Sequence, residues 1–175
     1  MSVNPEQLSI VLYPAASLRE PTETVDPTDP AVQAVAARMI EIMHAAEGAG
    51  LAAPQVGLNW RLFVTRDPES SEVGGLAWFN PVLTPLEDAP RESDIEGCLS
   101  LPGIEVVVER PGRVRLEAFD ISGAPVACDD ERLARVFQHE FDHLEGVLII
   151  DKMTTMERIR NRKLLKELKR AGSGT

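Results

Sequence analysis

The spacing of apolar residues predicts an amphipathic helix early in the chain. Across residues 31–46 apolar side chains recur at the period of an α-helix, about 3.6 residues per turn. Asp29 suits the N-cap, Pro30 suits the first turn, and Gly48 can end the helix. The face expected to be buried consists of Val32, Val35, Ala36, Met39, Ile40 and Met43.

Two further helices are predicted in the last part of the chain. Asp129 or Asp130 can cap the first of them, and Gly146 can end it. Its inward stripe falls on Leu133, Val136, His139 or Glu140, and His143 or Leu144. The second covers residues 155–171, with basic residues facing out. Its inward face is expected to hold Met156, Ile159, Leu164, Leu165 and Leu168.

Between these helices the pattern is typical of short strands. The segments are residues 60–65, 76–79, 82–86, 104–108, 114–119 and 126–128. Asn80 and Pro81 separate the second of these segments from the third. We therefore expect residues 1–175 to form a single α+β domain. Short, mostly antiparallel strands would surround a central helix, with an N-terminal amphipathic helix and a C-terminal helix.

Two segments fit neither a helix nor a strand. Residues 48–57 crowd glycine, alanine and proline together, and residues 95–103 place two glycines and a proline around Cys98. Glycine allows backbone conformations and close approaches that other residues do not, so both segments are predicted to be shaped loops. Gln55, in the first loop, has an amide that can both donate and accept hydrogen bonds.

The chain is acidic overall but basic near its end. Its formal net charge is −10, from 28 acidic and 18 basic residues, which argues against binding to DNA through general charge. Seven of the basic residues lie within positions 158–170. No apolar run is long enough for a membrane span, and the first residues do not resemble a secretory signal. We therefore expect a cytoplasmic protein without a membrane partner, whose two cysteines stay unpaired.

The clearest chemical signal is the segment 138–143, Gln-His-Glu-Phe-Asp-His. On a helix, His139 and His143 stand one turn apart on the same face, so both imidazoles can reach one cation while Glu140 lies beside them. This H-E-x-x-H pattern predicts a divalent metal together with a carboxylate that moves protons.

A catalytic metal of this kind needs a third protein ligand. Ile149 occupies the position at which one class of proteases has a third histidine. Glu167 is at a possible distance, but it lies in a basic helix that we expect to be exposed. Cys98 is the better candidate, because it lies in a rigid loop. Acidic neighbours disfavour a thiolate at Cys128.

Three motifs together resemble the peptide deformylase family. Residues 48–57 resemble G-x-G-L-A-A-x-Q, residues 96–100 match E-G-C-L-S, and residues 138–144 match Q-H-E-x-D-H-L, in the family's order and spacing. The resemblance covers nearly the whole chain. It implies a metal-dependent hydrolase that removes the formyl group from the N-terminal N-formylmethionine of nascent polypeptides and releases formate.

The resemblance also implies the metal centre. Cys98, His139 and His143 would bind one divalent ion, which is Fe(II) in the family's native enzymes and is often replaced by zinc, nickel or cobalt. Glu140 would take a proton from the metal-bound water and later pass it to the leaving amine.

Other residues would shape the substrate site. The side-chain amide of Gln55 and the backbone N–H of Leu99 would hold the developing oxyanion, and Gly50 would let the substrate backbone approach closely. Val136 lies on the same helical face as the metal ligands, so it is a candidate wall of the methionine slot. Ala49 stands where the family often has a larger aliphatic residue, which leaves the width of that slot open.

Three further contacts are expected near this site. Asp142 would pair with Arg110 and tie the metal-binding helix to the sheet. Arg132 and Arg135 would be either surface charges or part of the substrate rim. Residues 104–109 would pair with an extended substrate by strand addition.

The expected partner is the formylated nascent peptide, bound by a monomeric enzyme. The basic C-terminal helix is either a solvated packing helix or a docking element for the ribosome. Two rival functions stay open: a small H-E-x-x-H metalloprotease, which leaves Cys98 and Gln55 without a role, and a noncatalytic metal-stabilised domain that docks on ribosomes.

Overall fold

A computed structural model describes residues 3–70 and 74–172. The helices are α1 (Pro30–Ala45), α2 (Ala134–Leu144), α3 (Thr155–Arg160) and α4 (Arg162–Gly172). The strands are β1 (Gly50–Ala52), β2 (Leu62–Arg66), β3 (Gly75–Pro85), β4 (Arg91–Gly97), β5 (Glu105–Pro111), β6 (Val114–Phe119) and β7 (Pro125–Cys128). Short 3₁₀ helices lie at Pro5–Gln7, Ala16–Leu18, Ala53–Val56 and Ile149–Asp151. Across the described ranges, no helix has the length and apolarity needed to cross a membrane.

The strands form two antiparallel sheets, as the α+β prediction requires. Five strands follow the order β1-β2-β3-β6-β7, and β4 pairs with β5 in a separate two-stranded sheet. The predicted break at Asn80 is a bulge within β3: the φ angle of Asn80 is 51°, and pairing with β6 shifts between Phe79 and Val82. The apolar pattern does not predict β4, because Glu96 is its one buried residue.

The five-stranded sheet is covered by a helix on each face. Leu62 and Val64 of β2 pack in the same apolar cluster as α1. Phe63, between them, points the other way and packs with Phe137 of α2, since successive strand residues face opposite sides. The ring of Phe137 also meets the Trp78 ring edge-on, with 5.1 Å between centroids. Phe137 thus packs against both Phe63 of β2 and Trp78 of β3, and these contacts hold α2 against the sheet.

The start of α2 lies later than its predicted cap. The helix begins at Ala134, several residues after Asp129 and Asp130. Asp130 instead stabilises the preceding turn, since its carboxylate accepts a hydrogen bond from the backbone N–H of Arg132 at 2.9 Å. The part of α2 that carries the histidines is helical, as predicted.

The predicted C-terminal helix is in fact two helices, α3 and α4. Leu168 is buried as expected, but Met156 and Ile159 are 70% and 63% exposed, so the prediction that these two residues face inward is wrong. Glu157 is the least exposed residue of α3, and its carboxylate accepts a hydrogen bond from the backbone N–H of Val107 at 2.9 Å. A hydrogen bond to β5 is thus found where apolar contacts of Met156 and Ile159 were expected.

Candidate metal centre and active site

The three predicted metal ligands lie together. Cys98 follows β4, and His139 and His143 stand one turn apart on α2. One ligand atom from each lies within 4.8 Å of the others, and Cys98 Sγ is 3.4 Å from His143 Nε2. Because metal–sulfur and metal–nitrogen bonds of zinc are about 2.0–2.3 Å long, one cation can reach all three atoms. One thiolate and two imidazoles are donors that suit iron and zinc alike.

The protonation of the two histidines differs. Burial lowers the pKa of His143 well below its ordinary value, and the charge of His139 lowers it further, so His143 is a neutral imidazole suited to a metal. Burial alone would also lower the pKa of His139, but hydrogen bonds to Cys98 and Glu96 raise it to about 10. A cation binding at His139 must therefore displace a proton.

Glu96 orients His139. The Nδ1–H of His139 donates to Glu96 Oε2 at 3.0 Å, which leaves Nε2 to face Cys98 and a metal. A carboxylate that accepts the second N–H of a ligating histidine fixes its tautomer and its orientation. Burial raises the pKa of Glu96, but hydrogen bonds from Arg110, His139 and Arg135 outweigh this and hold it well below its usual range. Glu96 is therefore an anion in the folded protein.

Arg110 joins this network to the helix, as the sequence hypothesis proposes. Its Nε and Nη2 donate to the two oxygens of Glu96 at 2.6 and 2.8 Å. Its Nη1 donates to Asp142 at 2.9 Å. Since Arg110 lies on β5 and Asp142 on α2, the buried guanidinium ties the two-stranded sheet to the metal-binding helix.

Arg110→Ala is expected to lower the free energy of unfolding by about 3–5 kcal/mol, because it leaves a buried carboxylate without its main counter-charge. Urea unfolding of the metal-free protein measures this. Arg91→Ala is the matched control, since the Arg91–Glu109 pair lies on the same sheet with both side chains more than half exposed, and such pairs contribute at most about 1 kcal/mol. Equal unfolding midpoints for the two variants would contradict the structural role of Arg110.

Glu140 is buried directly beside the ligand cluster. Burial raises the pKa of its carboxyl to about 7, so the group can hold or release a proton near neutral pH. Within the described residues, its Oε2 has no hydrogen-bond partner, and neither does Nδ1 of His143. A buried carboxylate oxygen without a partner is costly, and its place beside three donor atoms fits a site built to hold a metal ion and a reacting group.

Gly50 makes room for Glu140. A Cβ atom at Gly50 would lie 2.6 Å from Oε1 and 2.8 Å from Cγ of Glu140, which is closer than any real contact. Gly50 belongs to β1, which is the first strand of its sheet and therefore an edge strand within the described residues. The prediction was that Gly50 lets the substrate backbone come close. In the structure, the group that comes closest to Gly50 is the side chain of Glu140.

Gln55 and Leu99 place hydrogen-bond donors at the same site. Oε1 of Gln55 accepts from the backbone N–H of Ala52 at 2.8 Å, so its Nε2 is turned towards Cys98 Sγ, 3.6 Å away. The backbone N–H of Leu99 has no acceptor among the residues that the structure describes. An amide held on one side and a free backbone N–H together can stabilise a developing negative charge.

A cavity of about 370 Å³ opens onto this cluster. It is formed by the two predicted loops and by one face of α2. The lining residues are Gly48, Ala49, Gly50, Gln55, Glu96, Gly97, Cys98, Leu99, Arg135, Val136, His139 and Glu140. No residue of β5 is among them, so the expectation that residues 104–109 pair with a substrate finds no support.

The other residues considered from the sequence lie elsewhere or have another partner. Glu167 is exposed on α4, 4.0 Å from Lys163, and Cys128 packs half-buried on β7. Arg132 forms ion pairs with Asp130 and Glu69 and does not line the cavity. Glu96 belongs to the motif around Cys98, but its role was not predicted. A ligating histidine needs a second hydrogen-bond partner, and this need points to a nearby carboxylate such as Glu96.

Comparisons with known proteins agree with this geometry. The sequence profile of the polypeptide deformylase family matches residues 7–159. A peptide deformylase of Thermotoga neapolitana is 43% identical over 162 residues, 90% of this chain and 93% of the relative. One from Alkalilimnicola ehrlichii is 40% identical over 166 residues, 94% and 92% of the two chains. The crystal structure of peptide deformylase from Plasmodium falciparum superposes with a TM-score of 0.84 at 38% identity, covering 95% of this chain and 98% of that one.

Proposed function

Because the chain belongs to the polypeptide deformylase family, and thus removes the formyl group from nascent polypeptides, we propose the part that each residue of its cavity plays. The observation that carries the proposal is the cluster of Cys98, His139 and His143 beside the buried Glu140. The small metalloprotease alternative is not favoured, because it gives no role to Cys98 or to Gln55.

Cys98, His139 and His143 hold one divalent metal in this proposal. When bound, the ion supplies a Lewis acid that polarises the formyl carbonyl and makes water more acidic. The donor atoms do not choose between iron and zinc, so Fe(II) as the native metal rests on the family resemblance. Metal analysis of protein purified without oxygen, compared with the turnover of iron- and zinc-loaded samples, tests this choice. Full activity with zinc alone would contradict it.

Glu140 carries the proton in this proposal. An acid–base group works best when its pKa lies near the operating pH, and burial places the pKa of Glu140 at about 7. Its carboxylate takes a proton from the attacking water and holds it. It then gives the proton to the nitrogen of the leaving amine, which becomes the new N-terminus of the peptide.

Gln55 Nε2 and the backbone N–H of Leu99 donate to the oxygen that gains negative charge. Gln55→Glu keeps the acceptor for Ala52 but replaces the donor by a second acceptor. We expect kcat/KM to fall by about 10² to 10³, measured as formate release. Gln33→Glu makes the same change far from the cavity, where Gln33 bonds two backbone carbonyls, and should keep the wild-type rate. A normal rate in Gln55→Glu would remove Gln55 from the mechanism.

Gly50→Ala is expected to lower kcat by about 10²-fold, because the added methyl group must push the Glu140 carboxyl out of place. Gly97→Ala adds the same group to another cavity glycine, whose Cβ would meet no atom closer than 4.0 Å. Steady-state kinetics and metal content of the two variants measure the difference. If both lose kcat equally, the contact with Glu140 is not what requires glycine at position 50.

Val136 and Ala49 line the cavity and are proposed as walls of the methionine slot. Val136 supplies an apolar branched side chain from α2, while Ala49 contributes little volume from the loop opposite. In the proposal the methionine side chain enters between them, because apolar side chains gain free energy when removed from water.

The basic C-terminal helix is proposed to dock on the ribosome, where a monomeric cytoplasmic enzyme would meet nascent chains. Support comes from the concentration of positive charge on α3 and α4 against a chain of net charge −10. Deleting α4 would also remove the buried Leu168, so a charge reversal is the better test. Arg162→Glu with Lys166→Glu should abolish salt-sensitive co-sedimentation with ribosomes, whereas Arg91→Glu should not. Unchanged binding in the double variant would end the proposal.

A further inference from the structure

One arginine at the cavity has hydrogen-bond donors that the site does not use. Arg135 lies on α2 one turn before His139, lines the cavity, and has a side chain that is 25% exposed. Its Nη1 donates to Glu96 Oε1 at 2.8 Å and to the carbonyl of Val108 at 3.0 Å. Its Nη2 donates to the carbonyl of Glu92 at 2.9 Å. These bonds use both hydrogens of Nη1 and one of Nη2.

Two donors of Arg135 therefore stay available, the Nε–H and the second hydrogen of Nη2. No residue in the described parts of the chain accepts a hydrogen bond from either of them. Nε and Nη2 are neighbours on one edge of the planar guanidinium, so the two unused hydrogens can bind one or both oxygens of a carboxylate. Because three existing bonds already hold the group in place, little side-chain freedom remains to be lost on binding.

The ion pairs around Glu96 also leave positive charge in excess. In this network two carboxylates, Glu96 and Asp142, pair with three cations, Arg110, Arg135 and Lys152. Arg110 already binds both oxygens of Glu96. Glu96 therefore compensates the positive charge of Arg135 only in part. The whole chain carries a net charge of −10 and would repel acidic peptides at long range. A preference for such peptides must therefore come from this local cation.

We propose that Arg135 is a specificity-determining residue that binds a carboxylate of the formylated peptide close to its methionine. The inference rests on the proposed function, since it takes the peptide that enters this cavity to be the one that is deformylated. The carboxylate has two sources. It is either an aspartate or glutamate side chain that follows formylmethionine, or the C-terminal carboxylate of a very short peptide.

Three pairs of peptides separate these sources on the holoenzyme. Formyl-Met-Asp-Ser amide is compared with formyl-Met-Asn-Ser amide, and formyl-Met-Ala-Asp amide with formyl-Met-Ala-Asn amide. Formyl-Met-Ala-Ser is compared with its own amide. We expect kcat/KM for the charged member of at least one pair to exceed that of the neutral member by about fivefold to thirtyfold at low salt. The ratio should shrink as the ionic strength rises.

Variants then assign the preference to Arg135. Arg135→Met keeps an unbranched stem but removes every donor, so the ratio should fall to about one. Arg135→Lys keeps the charge without the two-donor edge and should give an intermediate ratio. Arg132→Met, three residues earlier, removes a charge already bound by Asp130 and Glu69 and should keep the wild-type ratio. Ratios within one variant cancel any general loss of rate that follows when Glu96 loses a partner.

A wild-type ratio of one for all three pairs overturns the inference, as does an unchanged ratio in Arg135→Met. If that variant does not fold, the wild-type ratios, their salt dependence and the lysine variant decide the question. Failure of the wild-type enzyme to deformylate the neutral amides would instead overturn the proposed function itself.

Discussion

Glu140→Gln is expected to reduce kcat by about 10² to 10⁴, the usual contribution of a positioned acid–base group. Glutamine has nearly the shape of glutamate, so it fills the same buried place beside Gly50, but its amide cannot take a proton from water and return it to the amine. Burial places the pKa of Glu140 at about 7, which is why this carboxyl, rather than an exposed one, suits the task. Metal content and thermal unfolding of the variant should match those of the wild type.

Glu145→Gln is the control for this experiment. Glu145 follows α2 directly, and its half-exposed carboxylate pairs with Arg61 at 2.8 Å, so the same chemical change there should leave kcat intact. Retention of half of the wild-type rate in Glu140→Gln would show that another group moves the proton. A variant that has lost both activity and metal would instead assign Glu140 to metal binding.

Cys98→Ala is expected to abolish turnover and tight metal binding together. Removing even an outer-shell partner of a ligand costs about 10- to 100-fold in metal affinity, and the loss of one of three direct ligands should cost more. Cys98 is only partly buried and packs at the margin of one apolar cluster. Alanine keeps a small apolar side chain there, so the metal-free variant should unfold nearly like metal-free wild type. Metal analysis after dialysis, combined with the rate of formate release, measures the effect.

Cys128→Ala provides the comparison for the thiol. Cys128 lies half-buried on β7 in the apolar cluster beneath α2, outside the ligand group. Its variant should keep both the metal and the rate. If Cys98→Ala still held one metal ion per chain and remained active, the third ligand would have to be another residue, and the ligand set proposed here would be wrong.

The helices and the three clustered ligand candidates could be predicted, because each had a local signal. The apolar period of α1 and the spacing of His139 and His143 are properties of short segments. The motif around Cys98 is a third local signal. Only the resemblance of the motifs to a known family indicates that Cys98 and His139, which are 41 positions apart, belong to one site. No periodicity could have shown that these pieces meet in space.

The features that were not predicted, such as β4 and the orientation of α3, depend on polar contacts. The strand β4 buries only Glu96, so it has no alternating apolar residues to reveal it. On α3, the carboxylate of Glu157 accepts a hydrogen bond from the backbone N–H of Val107 on β5, and Met156 and Ile159 stay exposed in spite of their hydrophobicity. The contact between Gly50 and Glu140 depends on how β1 and α2 pack, which no single motif contains.

The most direct test of the central claim is the stoichiometry of products from formyl-Met-Ala-Ser. The metal-loaded protein should release formate and a new free amino terminus in equal amounts. Release of acetate from acetyl-Met-Ala-Ser should be far slower. Cleavage of an internal peptide bond without release of formate would contradict deformylation and support the metalloprotease alternative. The absence of any reaction in a fully metal-loaded sample would contradict an enzymatic role altogether.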